Sequence, residues 1–157
     1  MHEKLISIVI PAFNESENIP KIVLAIENLF EQLPYRYEII MVADGCTDNT
    51  MDKIQELLST NKQLYYIEFS RNFGHQNALK AGLDHSNGDC VISLDCDMQH
   101  PPEIIPEMLT KWELGYEVVY TIRKEDKRLP VNKRVTSKLF YNTINKLSDV
   151  EIEPGSA

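Results

Sequence analysis

Apolar residues along the chain fall into two alternating rhythms. Continuous runs rich in Ile and Val, at 5–13 (LISIVIPAF), 37–43 (YEIIMVA), 64–70 (LYYIEFS), 90–95 (CVISLD) and 116–122 (YEVVYTI), read as buried strands. Between them the spacing lengthens to three and four. Ile19, Ile22, Val23, Ile26, Leu29, Phe30 and Leu33 share one helix face. Met51, Ile54, Leu57 and Leu58 do the same, a third helix is expected over 75–86, and a fourth carries Ile104, Ile105, Met108, Leu109 and Trp112. A last helix is expected over 131–147 through Val135, Leu139, Phe140, Ile144 and Leu147. Asn14 with Glu17 has capping-box spacing, Pro20 suits a first helical turn, and Thr47 and Asp48 are placed to cap the second helix. Strands and helices in alternation predict an α/β fold, a mostly parallel sheet with helices on both faces. No repeat, linker or low-complexity tract interrupts it, so residues 1–157 read as one domain.

In such sheets ligands bind beyond the carboxyl ends of the strands. Polar segments follow every one of those ends: PAFNESEN, ADGCTDNT, RNFGHQNA, DCDMQHPPE and RKEDKR. Five polar loops on one rim favour a binding site over five unrelated turns. Asp95 and Asp97 lie one residue apart at the fourth strand end, so an extended backbone turns both carboxylates to one side. Two such charges repel unless a cation lies between them, and oxygen ligands suit Mg2+ or Mn2+. Gln99 continues the alternation and adds a neutral oxygen. The plainer reading of an isolated D-x-D is a turn or a helix cap; its place after a buried strand and before Pro101-Pro102 argues for the metal. Asp44 precedes Gly45 and could accept a hydrogen bond from a base or ribose, or close an Asx turn. His75 and His100 flank the rim without a third ligand at zinc spacing, and read as loop or outer-layer residues.

Composition narrows this further. The chain has 157 residues, 43% hydrophobic and 25% charged, with net charge −8. That balance argues against a nucleic-acid partner, which selects a basic stripe. The exception is RKEDKRLPVNKR at 123–134, either a phosphate contact or a solvated loop. Cys46, Cys90 and Cys96 lack metal-ligand spacing and suit a reducing compartment, with Cys90 read as a small core hydrophobe. No secretory leader is recognisable, and no apolar run reaches the ~18 residues of a membrane span, so the chain as it stands is expected to be soluble. Neither G-x-G-x-x-G nor G-x-x-x-x-G-K-[ST] occurs. Bound phosphates would therefore be held by metal and by Arg71, Arg123, Lys133 or Arg134.

Taken together, SIVIPAFNESENI, EIIMVADGCTDNT, FSRNFGHQNALKAGLDHSNGD and ISLDCDMQHPPEII resemble the family 2 glycosyltransferases of GT-A (Rossmann-like) fold. The resemblance covers nearly the whole chain. It is closest to the branch that makes polyprenyl-phosphate sugars, which includes dolichyl-phosphate mannose synthases and undecaprenyl-phosphate glycosyltransferases. It implies metal binding by Asp95, Asp97 and Gln99, and a nucleotide pocket from Pro11, Phe13, Glu15 and Asp44, the last against the base. It also implies diphosphate or acceptor-phosphate contacts from Arg123, Arg134 and Ser137, with Asp95, Asp97, Arg123 and Arg134 as the catalytic set. The implied partners are a UDP- or GDP-sugar and a lipid phosphate, with inverting transfer; a homo-oligomer is left open. Ala43 and Cys46 depart from the family pattern, which carries an acid and a serine there. In similar proteins a segment with a further aspartate, a helix and often membrane spans follow. The resemblance thus implies a donor-binding part, cut short at its C-terminal side, of a protein held at the cytoplasmic face of a membrane. Two rival readings are a D-x-D phosphohydrolase and a non-catalytic nucleotide-sugar-binding module.

Overall fold

The computed structural model describes residues 3–99 and 101–121. Strands β1 (Leu5–Ala12), β2 (Arg36–Ala43), β3 (Leu64–Glu68) and β4 (Cys90–Ser93) alternate with helices α1 (Ile19–Phe30), α2 (Thr50–Leu58) and α3 (His75–Asp84). A 3-10 turn, Pro102–Ile104, then leads into α4 (Ile105–Glu113). Among the described residues every strand pair is parallel, in the order β3-β2-β1-β4. The α/β architecture read from the alternation is the one observed.

The order places β1 at the centre, and its composition follows. Ile6, Ile8, Val9 and Ile10 have no exposed surface, and neither do Ile39, Met41 and Val42 of β2. Each such side chain contributes roughly 1.5–3 kcal/mol of burial. Pro11 is tolerated in this central strand because β4 pairs with β1 only as far as Val9. Among the described residues β3 and β4 are the outer strands, and here continuous apolar character does not mean burial on both faces. Tyr65, Tyr66 and Val91 are exposed.

Right-handed crossovers put α1 and α2 on one face of the sheet and α3 on the other. Helix α1 buries Ile19, Ile22, Val23, Ile26 and Phe30. Helix α3 lies close on β1 and β2, where Ala78 packs with Ile40 and Val42. Because β4 lies on the opposite side of β1 from β2, the winding reverses between β1 and β4. That reversal opens a crevice at the carboxyl ends of those two strands.

The chain divides into two compact units, Met1–Glu107, which contains the sheet, and Met108–Ala157. In the second unit the strand expected over 116–122 is absent from its described part, residues 116–121. Tyr116, Val118 and Tyr120 are exposed, Val118 by 79%. β-branched and aromatic composition favours a strand but supplies no ladder partner for its N–H and C=O groups. The helix expected over 131–147 lies outside the described residues.

Candidate functional site

The loops after β1, β2 and β3 are tied to one another by side chains from their own polar segments. Asn14, in the left-handed region at φ +58°, accepts at Oδ1 from the Thr47 N–H at 2.8 Å and the Asp48 N–H at 3.3 Å. Thr50, fully buried, accepts from the Glu15 N–H at 2.8 Å, and Asp48 Oδ2 accepts from the Ser16 N–H at 3.3 Å. These bonds correct the capping assignments. Helix α1 begins at Ile19 behind Asn18, a full turn later than the Asn14–Glu17 spacing requires, and Asn18 makes no side-chain cap bond. Pro20 does fall in the first turn. Helix α2 begins behind Asn49, and of the expected caps Asp48 alone reaches its first N–H, Oδ1 accepting from Thr50 at 3.0 Å.

Asp44 ties the third loop to the second. It is 2% exposed, and Oδ1 accepts from the Phe73 N–H at 2.7 Å while Oδ2 accepts from the Gly74 N–H at 2.9 Å. A buried carboxylate needs such partners. Of the two roles read for Asp44, a base or ribose contact and an Asx turn, the turn is not formed; its oxygens accept from the loop after β3 instead. Arg71 stacks its guanidinium 4.7 Å from the Phe73 ring centre, and Phe69 meets that ring edge-on.

Between these loops and the end of β4 lies a cleft of about 440 Å³. Pro11, Ala12, Phe13 and Glu15 form the β1 side; Asp44, Asn72, Gly74, His75 and Ala78 form the β2 and α3 side; Asp95, Cys96 and Asp97 close it from β4. The structure thus brings together Pro11, Phe13, Glu15, Asp44, Asp95 and Asp97 of the expected site. Gln99 is not among the lining residues. The extended alternation expected to join Asp95, Asp97 and Gln99 is broken by a turn at Cys96–Asp97 and by Met98 at φ +59°, so the two aspartates line the cleft from a turn and not from an extended strand end. There the Gln99 N–H folds back onto Asp97 Oδ1 at 2.9 Å. Arg123, Lys133, Arg134 and Ser137 lie outside the described residues, as does His100. Asn72 and Gly74 were not singled out from sequence; the available signal was a glycine immediately ahead of a helix at a strand end. His75, read as an outer-layer residue, opens α3 on the cleft with Nε2 3.8 Å from Asp95 Oδ1.

The lining is strongly anionic. It holds four carboxylates, Glu15, Asp44, Asp95 and Asp97, and among the described residues no lysine or arginine. Burial pushes the Cys96 thiol up to about 12, with the charges of Glu15, Asp97, Cys46 and Asp95 adding to the effect. Above the ordinary thiol value of 9.0 the unfolded chain loses this proton first, so the Cys96 contribution to stability disappears as pH rises toward about 12. Iodoacetamide at neutral pH is accordingly expected to spare Cys96 in the folded protein and to modify it in urea; native labelling at a free-thiol rate would contradict this burial.

An anionic cleft receives a phosphate group only if a cation comes with it. Among the described residues no three His, Cys, Asp or Glu side chains are grouped to hold a metal. Two oxygen-bearing side chains on one wall nevertheless fit Mg2+ or Mn2+ when substrate phosphates and water complete the shell.

Comparison with known proteins gives a consistent picture. The family model described as "Glycosyl transferase family 2" matches residues 7–154. The chain is 37% identical over 151 residues to an uncharacterized glycosyltransferase of Synechocystis sp., covering 96% of this chain and 48% of that protein. It is 41% identical over 151 residues to the bactoprenol glucosyl transferase of Shigella phage SfV, covering 94% and 48%. The chain spans about half the length of the curated relatives it matches. Among solved structures, a mannosyltransferase from Pyrobaculum calidifontis in complex with GDP-Man and Mn2+ superposes with a TM-score of 0.60 at 24% identity, covering 76% of this chain and 34% of that one. Glucosyl-3-phosphoglycerate synthase from Mycobacterium tuberculosis in complex with UDP gives 0.60 at 22% identity, covering 94% and 53%. Both structural likenesses speak to the fold alone.

Proposed function

The chain belongs to glycosyl transferase family 2, and from that premise we propose that its protein transfers a hexose from a UDP- or GDP-sugar to a polyprenyl phosphate, with inversion. The observation that carries the reading is the cleft itself, which sits at the winding reversal and is lined by Asp95 and Asp97 together with Pro11, Phe13 and Glu15. The polyprenyl acceptor is supported by the relatives named bactoprenol glucosyl transferases, at 40–41% identity. The match over residues 7–154 runs across both units, which supports reading 1–157 as one donor-binding domain.

Asp95 and Asp97 would hold Mg2+ or Mn2+; when bound, such an ion offsets the negative charge that develops on the departing nucleoside diphosphate. Phe13, 45% exposed at the cleft, offers a ring face to the nucleotide. Its neighbour Glu15 is fixed by the Thr50 bond to its backbone and by the Asn18 amide, which donates to its Oε2 at 2.7 Å. Arg123, Arg134 and Ser137 are proposed for the diphosphate and the acceptor phosphate. That phosphate is already anionic near neutral pH, so it needs alignment and charge relief more than a strong base. On this reading the whole protein works at the cytoplasmic face of a membrane. Among the described residues no helix is long and apolar enough to cross one.

The test is transfer by the whole protein from radiolabelled UDP- and GDP-hexoses to undecaprenyl phosphate with Mn2+. Label should enter the lipid phase, and NMR of the product should show the inverted anomer. Release of free sugar without lipid product, or retention at the anomeric carbon, would overturn the proposal. Because the chain spans about half of its relatives, binding of the donor without turnover by this chain alone is the second reading, and the same assay on it decides.

A further inference from the structure

We propose that His75 is a positioning residue for Asp95: its Nε2–H steadies one oxygen of that carboxylate and leaves the other for the divalent ion, a role that rests on the donor site proposed above. His75 Nε2 stands 3.8 Å from Asp95 Oδ1, and both side chains line the cleft. Both are about half exposed, so a small rotation of the ring closes the gap to hydrogen-bond length without moving anything buried. Among the described lining residues only Asn72 and His75 carry side-chain N–H donors, against four carboxylates. A carboxylate has to be oriented before it can ligate. A donor fixed on one of its oxygens removes that freedom, and such supporting groups are worth ~10–100-fold in metal affinity.

The two groups meet because the elements that carry them are both registered on Val9, in the central strand. His75, Ala78 and Gly82 lie at i, i+3 and i+7 of α3, on one helix face. Ala78 and Gly82 are buried, and a Cβ on Gly82 would fall 2.2 Å from Val9 Cγ1. The missing side chain lets α3 lie directly on β1, and the same face, carried back two turns, brings His75 to the carboxyl end of the strands. On the other side Val9 pairs with Ser93, and its carbonyl accepts from the Leu94 N–H at 3.0 Å, one residue before Asp95. Helix start and strand end are thus held at a set spacing before any ligand arrives.

The first test needs no metal. At fixed pH, 15N NMR of the metal-free protein should show Nε2 of His75 as a protonated nitrogen, and Asp95→Ala should move that resonance. No movement overturns the pairing. Calorimetry with UDP reads its consequence. His75→Ala should lose ~10–100-fold of the affinity that Mn2+ adds, and His75→Gln, whose amide nitrogen can stand where Nε2 stood, should recover most of it. A Mn2+ gain left intact in His75→Ala, or His75→Gln as weak as His75→Ala, overturns the role. So does an equal fall in UDP affinity measured without metal, which would make His75 a nucleotide contact. A Mn2+ gain that survives Asp95→Ala overturns the donor site itself, and is told apart because the pairing seen by NMR would stand without it.

Discussion

Asp97→Ala is expected to abolish the gain in nucleotide affinity that Mn2+ confers, and to lower sugar transfer by the whole protein by about 10²–10³-fold, the scale seen when one preorganised charge-stabilising group is removed. The size follows from where the side chain stands. Asp97 is exposed at the mouth of an anionic cleft, and its one described bond is to the Gln99 N–H at 2.9 Å. Loss of an exposed bond of that kind costs about 1 kcal/mol or less, so the variant should fold. Nothing in the described lining replaces it, since no lysine or arginine is there to meet a diphosphate. Asp97→Asn separates charge from shape, because its amide oxygen can still accept from Gln99 while the negative charge is gone. It should behave as Asp97→Ala does in Mn2+-dependent binding of UDP and GDP by calorimetry. Asp95→Ala should match it, and the double variant should be little worse, as groups that act on one ion are not additive. Equal Mn2+-dependent affinity in Asp97→Asn and the unmodified protein would remove the two aspartates from the site.

The parts of this molecule that could be read from sequence are those whose cause is local. β1 and β2 announce themselves because both their faces are covered, so nearly every position is apolar. The acids at 95 and 97 stand out because they end such a run. The failures share the opposite origin. Asn14 has a side chain that can cap the next turn or reach another loop, and only the fold decides that it bonds Thr47, 33 positions away. The run at 116–121 has strand composition but no described ladder, a property of neighbours and not of residues. Met98 at φ +59° breaks the alternation toward Gln99, and methionine carries no signal for a left-handed turn. The bonds that the Phe73 and Gly74 N–H groups donate to Asp44 span 29 and 30 positions, so spacing along the chain could not show them.

Gly45→Ala is expected to cost about 3 kcal/mol of stability, from two separate sources. An alanine at φ +62° is strained by roughly 1–2 kcal/mol, because its Cβ crowds its own carbonyl. The second source decides the outcome. The three nearest atoms to that Cβ, at 2.1, 2.3 and 2.5 Å, all belong to the main chain of Arg71 and Asn72, so no rotamer change relieves the contact. Overpacking against fixed atoms adds about 1–3 kcal/mol. Gly74 makes the contrast: at φ +94° with nothing within 4 Å, its alanine variant meets backbone strain without collision and should lose less. Urea denaturation separates the two, with Gly45→Ala moving the midpoint further at an unchanged slope. The only way to admit the extra methyl is to lift residues 71–72 off β2, which strains the bonds from Phe73 and Gly74 to Asp44 and moves Asn72 in the cleft wall. UDP affinity measured with Mn2+ below the unfolding transition should therefore fall together with stability, although Gly45 does not line the cleft. A midpoint no lower than that of Gly74→Ala would show that the turn yields freely, and that its seat on β2 is not what shapes the wall.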